Sequence, residues 1–402
     1  MGTLDGIRVV DLTRYLSGPT LTMLLADLGA DVVKVETLPA GDPARQSGPF
    51  QDGESVYYMA SNRNKRSVAL DLRSDEGKTA LRKLLAEADV FVQNFKPGTT
   101  EKMGFGPGEL RELNPRLIYV SLSGFGQRPP GADLAGFDQT AQAMSGLMSV
   151  TGTAETGPLR VGIAIADSAT GVFGAVGVLS ALYERERTGK GTVVEGSLMQ
   201  SMLTLLSYQA QKYLSLGVTP VQDGNDHPIM FPQGTFKTRD TAMTLACGNE
   251  KMWQRLCSAL GRRELEDDPR FTDNASRMAN RTELRRIIED LLAAKTTEQW
   301  IAEIGAAGVP CGPVLTIPEA LEHPITAGLD MVASVEHSTL GSMKILGQSV
   351  NVGRTDSQWL RRPAPMLGEH TGEVLAEIGY SAEEIAKLTA QGQAAQWKKT
   401  GA

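Results

Sequence analysis

Apolar and polar positions change period along the chain in a repeating way. Residues 7–12, IRVVDL, form a short β-rich run, and after Gly18 and Pro19 the apolar residues recur at Leu21, Leu24, Leu25 and Leu28. That spacing is helical, and Gly29 ends the helix. The run 31–36, DVVKVE, follows at once, so residues 7–36 predict a βαβ unit with parallel strands. The pattern then repeats: a strand at 67–72 after the polar and basic cluster Asn64-Lys65-Arg66, a helix at 75–87, a strand at 89–95, a helix near 107–114 and a strand at 117–125. Such alternation predicts an α/β fold, a doubly wound Rossmann-like parallel sheet with helices on both faces. Ligands of such sheets bind beyond the carboxyl ends of the strands, here around residues 14–17, Thr37, Arg73, 94–96 and 123–126.

Residues 160–200 carry the most pointed pattern. Val161, Ile163 and Ile165 alternate with small residues as in a buried strand, and the run stops at Asp167. From Ser168 the period is helical, with Val172, Phe173, Val176, Val178, Leu179 and Leu182 apolar. Gly171, Gly174 and Gly177 recur every third residue, a bare stripe against which another element must pack closely. Asp167 is then expected to be the helix N-cap, where the backbone N–H groups and the dipole favour an ionised carboxylate by ~0.3–1 kcal/mol. A simple cap and a reactive anion are both open at this point, since Asp is among the commonest caps. Beyond a further strand and helix, the Gly-, Pro- and Asn-rich run 217–228 reads as a boundary. The expected organisation is a large domain at 1–190, linker helices at 191–224, a smaller α+β domain at 225–325 and a C-terminal segment, 326–402, that returns to the large domain. The smaller domain is predicted from a hairpin, 234–240 with 241–248, and from helices near 250–260, 281–293 and 297–305.

Charge and composition narrow the chemistry. The net charge is −7 over 402 residues, with both signs interspersed and no basic run, which argues against nucleic acid as a partner. Cys247, Cys257 and Cys311 are odd in number and lack metal-ligand spacing, which fits a reducing, cytoplasmic setting. The four histidines are scattered, so no metal site is expected. No cationic, apolar leader opens the chain and no apolar run approaches the ~20 residues of a membrane span. A nicotinamide dehydrogenase is the first idea for this fold, and Glu36 stands where a ribose-binding acid would. The turn after the first strand reads TRYLSGP rather than GxGxxG, however, and that reading is set aside.

An ordered set of motifs spans nearly the whole chain: LDGIRVVDLTRYLSGP, LADLGADVVKVE, NRNKRSVALDL, VFVQNFKPG with MGFG, LNPRLIYVSLSGFG, the Asp167 block with ERERTGKG, GVPCGPV and APMLGEHT. In these the chain resembles the class III CoA-transferases, which include formyl-CoA, carnitine and dicarboxylate CoA-transferases. The resemblance implies that Asp167 is the nucleophile, attacking an acyl-CoA thioester to give a mixed anhydride that CoA thiolate converts to an aspartyl thioester. It implies no permanently bound cofactor, the coenzyme A thioester being a substrate, and neither metal nor ATP. Leu16 and Ser17 would lie beside the thiol arm, with Leu70, Arg73, Asn94, Phe95, Lys96 and Lys102 among the CoA contacts and Asp138 near the reacting groups. It further implies an interlocked homodimer of ring-shaped chains. Leu16 and Thr37 depart from the glutamine and arginine of formyl-CoA transferase, which points to succinyl-CoA as donor and a short dicarboxylate or hydroxy acid as acceptor. His227, in the Gly224-Asn225-Asp226-His227-Pro228 turn, is a candidate contact for a second carboxylate, or else a packed turn histidine. Two other readings share the fold: an α-methylacyl-CoA racemase, whose catalytic histidine is replaced here by Phe137, and a CoA-binding subunit without catalysis, against which Asp167 argues.

Overall fold

The computed structural model, which describes residues 2–353 and 359–398, begins with sheet strands that alternate with helices, except that residues 38–64, with a two-residue hairpin and the short helix Val56–Met59, join the second strand to the third. They are β1 (Arg8–Asp11), α1 (Ser17–Asp27), β2 (Asp31–Thr37), β3 (Lys65–Leu70), α2 (Asp75–Ala86), β4 (Val90–Gln93), α3 (Pro107–Leu113) and β5 (Ile118–Ser123). After these come α4 (Asp138–Met144), α5 (Ile165–Thr188), β6 (Val193–Ser197) and, near the end, the two-residue β7 (Ala394–Ala395). The sheet order is β6–β5–β4–β1–β2–β3–β7. The first six strands are parallel and β7 runs antiparallel beside β3. Strand order reverses between β1 and β4, the place where doubly wound sheets open a crevice for ligands.

Neighbouring residues of the strands feed two different cores. Val9, Val32, Val90 and Val92 join one apolar cluster with Leu21 and Leu25 of α1 and Val178 and Leu182 of α5. Val10, Val33 and Phe91 join the other, with Leu81, Leu84 and Leu85 of α2 and Val374 and Leu375 of a late helix, Thr371–Glu377. Successive strand side chains point to opposite faces, so strands apolar at consecutive positions demand cover on both.

The glycine stripe of α5 does what its spacing implies. A Cβ at Gly171 would stand 2.8 Å from the Thr20 side chain and 2.9 Å from the Ser17 carbonyl, and one at Gly174 would stand 2.5 Å from Leu21. Helix α1 therefore lies directly on this face at Gly171 and Gly174, while a Cβ at Gly177 would stand 2.7 Å from Val194 of β6. By length and composition α5 could cross a membrane, yet half of its most apolar window is buried inside the fold, as in a core helix.

The described chain divides into two units. The larger comprises 1–148, 160–219 and 324–402, and the smaller comprises 149–159 and 220–323. The smaller unit has a three-stranded antiparallel sheet, Gln233–Lys237, Ala242–Ala246 and Cys311–Pro313. Helices Glu250–Ala259, Arg281–Leu292 and Thr297–Ala306 cover a core that includes Phe236, Trp253, Ile288 and Trp300. In the larger unit β6 joins the main sheet, and helices Leu198–Leu205 and Ser207–Leu216 follow it.

One expected element does not form. Residues 161–164 are irregular, with a bend at Gly162 and Ile163, rather than a strand, and Ile163 is 60% exposed. The Val161 N–H bonds to the Gln142 side chain instead of a neighbouring strand. A five-residue alternation is too short to distinguish a strand from an extended entry into a helix.

Candidate active site

The loops that leave β1, β4 and β5 at their carboxyl ends meet around a recess of about 270 Å³. Tyr15 comes from the first loop and Ser17 from the start of α1 that follows it, 94–97 from the second, and Ser123, which ends β5, and Gly124 from the third. Residues 134–137, before α4, and Asp167 of α5 complete much of the wall. All the lining residues belong to the larger unit. Gly124 and Gly136 let two of these loops touch, since a Cβ on either would fall 2.4 Å or less from the other's Cα.

The loop after β1 is held by buried charges. The Asp11 carboxylate, fully buried, accepts from Thr13 N at 2.9 Å, Thr22 Oγ1 at 2.7 Å and Lys65 Nζ at 3.0 Å. Burial alone would raise its pKa, but Lys65 and Lys34 outweigh that and hold it well below the ordinary carboxylate value. Lys34 Nζ donates to the Thr13 carbonyl and pairs with Asp42, both at 2.9 Å, and Asp42 accepts from Tyr15 N at 3.0 Å. Asn94 closes the clamp, accepting from Arg14 N and donating to Arg14 O, each at 2.8 Å. Tyr15 is thereby held at φ +63°, a left-handed conformation that is uncommon for a residue with a side chain. The strained turn delivers Ser17 to Asp167, to which it hydrogen-bonds.

Asp167 is the third residue of α5, not its N-cap. The helix begins at Ile165, and the cap position, Ala164, has no side-chain bond to offer. The capping oxygen comes from another helix: Asp138 Oδ1 accepts from Ala166 N at 2.7 Å and from Asp167 N at 3.3 Å. Ile165 N and Ser168 N donate to the Ile163 and Ala164 carbonyls. The N–H groups of the first turn are thus engaged, and the donors for a developing oxyanion must come from elsewhere in the recess. Burial, then the nearby Asp138 charge, pushes the Asp167 carboxyl up to about 6, against the opposing bond from Ser17. Burial first, and then Asp167, raise the Tyr57 phenol to about 12, so Tyr57 remains a hydrogen-bond donor on the recess wall.

The structure brings Ser17, Asn94, Phe95, Lys96 and Asp167 together at one recess, with Asp138 directly behind Asp167. Leu16 is the residue before α1. Leu70 is a correction. Its side chain is fully buried in the core beside Leu84 and Leu85, so it cannot touch a ligand; an apolar residue at a strand end looks the same in sequence whether it faces a crevice or a core. Arg73 is 75% exposed and paired with Asp71 at 2.8 Å, and Lys102 is exposed on the short helix Thr99–Met103; neither lines the recess. His227 lies in the smaller unit, where its N–H donates to Gln233 O at 2.8 Å and its Nδ1 accepts from Ile229 N at 3.3 Å. Glu36 is a structural residue, bonded by Arg45 through both carboxylate oxygens at 2.7 Å and by Ser67 at 2.6 Å. Sequence reasoning missed Asp42, Tyr57 and Gln142. Only Gln142 had a signal, its i,i+4 spacing from Asp138 on one helix face.

Residues 4–371 match the sequence pattern of CoA-transferase family III. The chain belongs to that family. It is similar to the acetyl-CoA:oxalate CoA-transferase of Acetobacter aceti, at 38% identity over 94% of this chain and 96% of that one. It is also similar to the succinyl-CoA:glutarate CoA-transferase of Mus musculus, at 36% identity over 98% and 90%. A crystal structure of a CAIB/BAIF family protein from Brucella suis matches with a TM-score of 0.83 and 37% identity, over 94% of this chain and 99% of that chain. As a family III CoA-transferase, the protein is an enzyme that moves CoA between an acyl-CoA and a carboxylic acid.

Proposed function

We propose that Asp167 is the nucleophile of this CoA transfer. Its carboxylate attacks the acyl carbonyl of the thioester, the C–S bond breaks, and CoA leaves as thiolate. The thiolate then attacks the aspartyl carbonyl of the mixed anhydride, releasing the donor acid and leaving CoA on Asp167. An acceptor carboxylate reverses the two steps. The observation that carries this reading is a half-buried carboxylate at the start of a helix, facing a recess at the strand-order switch point. Burial removes water that would compete for the anhydride. Ser17 and Tyr57 supply hydroxyl donors at the recess, and Phe95 and Pro97 its apolar wall.

Lys96, exposed at the rim, is placed to meet a phosphate. The pantetheine arm is long, so Arg73 and Lys102, exposed outside the recess, are proposed as contacts to the nucleotide end. The exposed pair of Arg73 with Asp71 is weak enough for a phosphate to displace. Phe137 supplies a ring of carbons beside Asp138 where proton exchange would need a base, which supports transfer over racemisation.

Succinyl-CoA with a short dicarboxylate or hydroxy acid acceptor is the proposed substrate pair; the acceptor class is supported by the two relatives named above, for oxalate and glutarate, and the donor by the second of them. A donor and acceptor matrix read by mass spectrometry tests it; exchange confined to monocarboxylic acids would sink it. A homodimer of interlocked chains, in the cytoplasm, is proposed with it. The dimer is supported by the apolar side chains that the larger unit exposes, among them Val176 and Tyr183 on α5 and Tyr213, Leu214 and Leu216 nearby in sequence.

A further inference from the structure

Asp138 and Gln142 stand one turn apart on α4, and together they grip the whole approach to Asp167. Gln142, fully buried, donates from Nε2 to Asp138 Oδ2 at 2.6 Å and to the Ile163 carbonyl at 3.4 Å, while its Oε1 accepts from Val161 N at 2.9 Å. Asp138 uses its other oxygen for the amides of Ala166 and Asp167. Donors thus meet both oxygens of Asp138, which serves here only as an acceptor. The helix end that would ordinarily stabilise the Asp167 anion therefore spends its amides on a second anion beside it.

We propose that Asp138 and Gln142 are a positioning pair that fixes the entry into α5 and keeps a negative charge against Asp167, so that acylation of Asp167 relieves a repulsion built into the resting site. This rests on Asp167 being the acyl acceptor. The step balances without protons: the Asp167 carboxylate becomes a neutral anhydride as its oxygen bonds the acyl carbon, and the charge departs with the thiolate when the C–S bond breaks. The second step leaves a neutral aspartyl thioester and a free carboxylate. At both stages Asp167 no longer opposes Asp138. The groups facing Asp167 are Asp138 from α4, Ser17 from α1 and the Tyr57 phenol, so Asp138 is the one that brings a like charge.

The test uses two readouts on the full-length protein. The resting Asp167 carboxyl is titrated by carbon-13 NMR, with D167N giving the assignment, in the wild type, in D138N and in the double variant D138N/Q142E. The double variant restores the donor and acceptor match between positions 138 and 142, and gives up only the 3.4 Å bond to the Ile163 carbonyl. The amide introduced at position 138 can donate to the carboxylate introduced at position 142, which still accepts from Val161 N and keeps a charge one turn further away. D138N is expected to titrate Asp167 at a lower pH than the wild type, and the double variant, which keeps a charge further off, between the two. The rate of acyl-CoA consumption in a single turnover is expected to fall about tenfold or more in D138N and to recover in part in the double variant. An unchanged titration midpoint in a folded D138N overturns the inference, as does a single-turnover rate equal to wild type. Because the titration needs no substrate, a lowered midpoint in a protein that transfers no CoA would sink the proposed function and leave the electrostatic pairing standing.

Discussion

Replacing Asp167 by an asparagine should make the protein more stable while abolishing its activity. The carboxyl is raised from 3.8 to about 6, first by burial and then by Asp138. A carboxyl whose folded pKa lies above its unfolded value favours the protonated fold, so its ionisation opposes folding as pH rises through that window. The cost is absent below about pH 3.8, grows between there and about 6, and is complete above. A shift of about two units corresponds to about 3 kcal/mol at pH 7.5, and the same linkage leaves about 1 kcal/mol at pH 4.5. The side-chain amide of D167N keeps the shape and the bond to Ser17 but carries no charge. Urea unfolding of wild type and D167N, at one protein concentration, should show the variant ahead by about 3 kcal/mol at pH 7.5 and by about 1 kcal/mol at pH 4.5. Equal stability at pH 7.5, or a gap that does not narrow toward acid, refutes the argument that the site strains this carboxylate.

Three further outcomes follow from the same geometry. The kcat/KM profile should lose activity in acid with an apparent pKa near 6, since only ionised Asp167 attacks; a flat profile down to about pH 5 contradicts the assignment. Gly171→Ala places a Cβ 2.8 Å from Thr20 and 2.9 Å from the Ser17 carbonyl; overpacking of this kind costs about 1–3 kcal/mol and should slow transfer by moving Ser17, which thermal melts and steady-state rates together would show. Leu70→Ala and Lys96→Ala separate core from contact: the first should lose about 2–5 kcal/mol of stability with an unchanged KM, the second should raise the KM for acyl-CoA several-fold with stability held within about 0.5 kcal/mol.

The sheet was legible because its strands are apolar at consecutive positions, and Val9 with Val10, or Val32 with Val33, can be buried together only between two layers of helix. The Gly171, Gly174 and Gly177 stripe announced close neighbours without saying which: α1 lies against Gly171 and Gly174, and Val194 of β6 against Gly177. Asp167 was found by the change of period around it, yet its place in the helix was misread. The cap that α5 needs comes from Asp138, 29 residues earlier, and no local pattern reports a cap supplied from another helix. The clamp on Arg14 and Tyr15 was hidden for the same reason, since Asn94 reaches the first and Asp42 the second only after β1, β2 and β4 have paired. Ile163 and Leu70 failed in opposite directions. The apolar alternation at Ile163 marks an exposed bend, whereas Leu70, at the end of β3, points into the core rather than the crevice.

The most direct test is covalent. Enzyme mixed with succinyl-CoA and no acceptor, quenched in acid and digested, should carry CoA on the peptide containing Asp167, and hydroxylamine should release it as an Asp167 hydroxamate. D167N should carry none and should exchange no CoA between acids. CoA found on another residue, or exchange at the normal rate by folded D167N, would contradict the account.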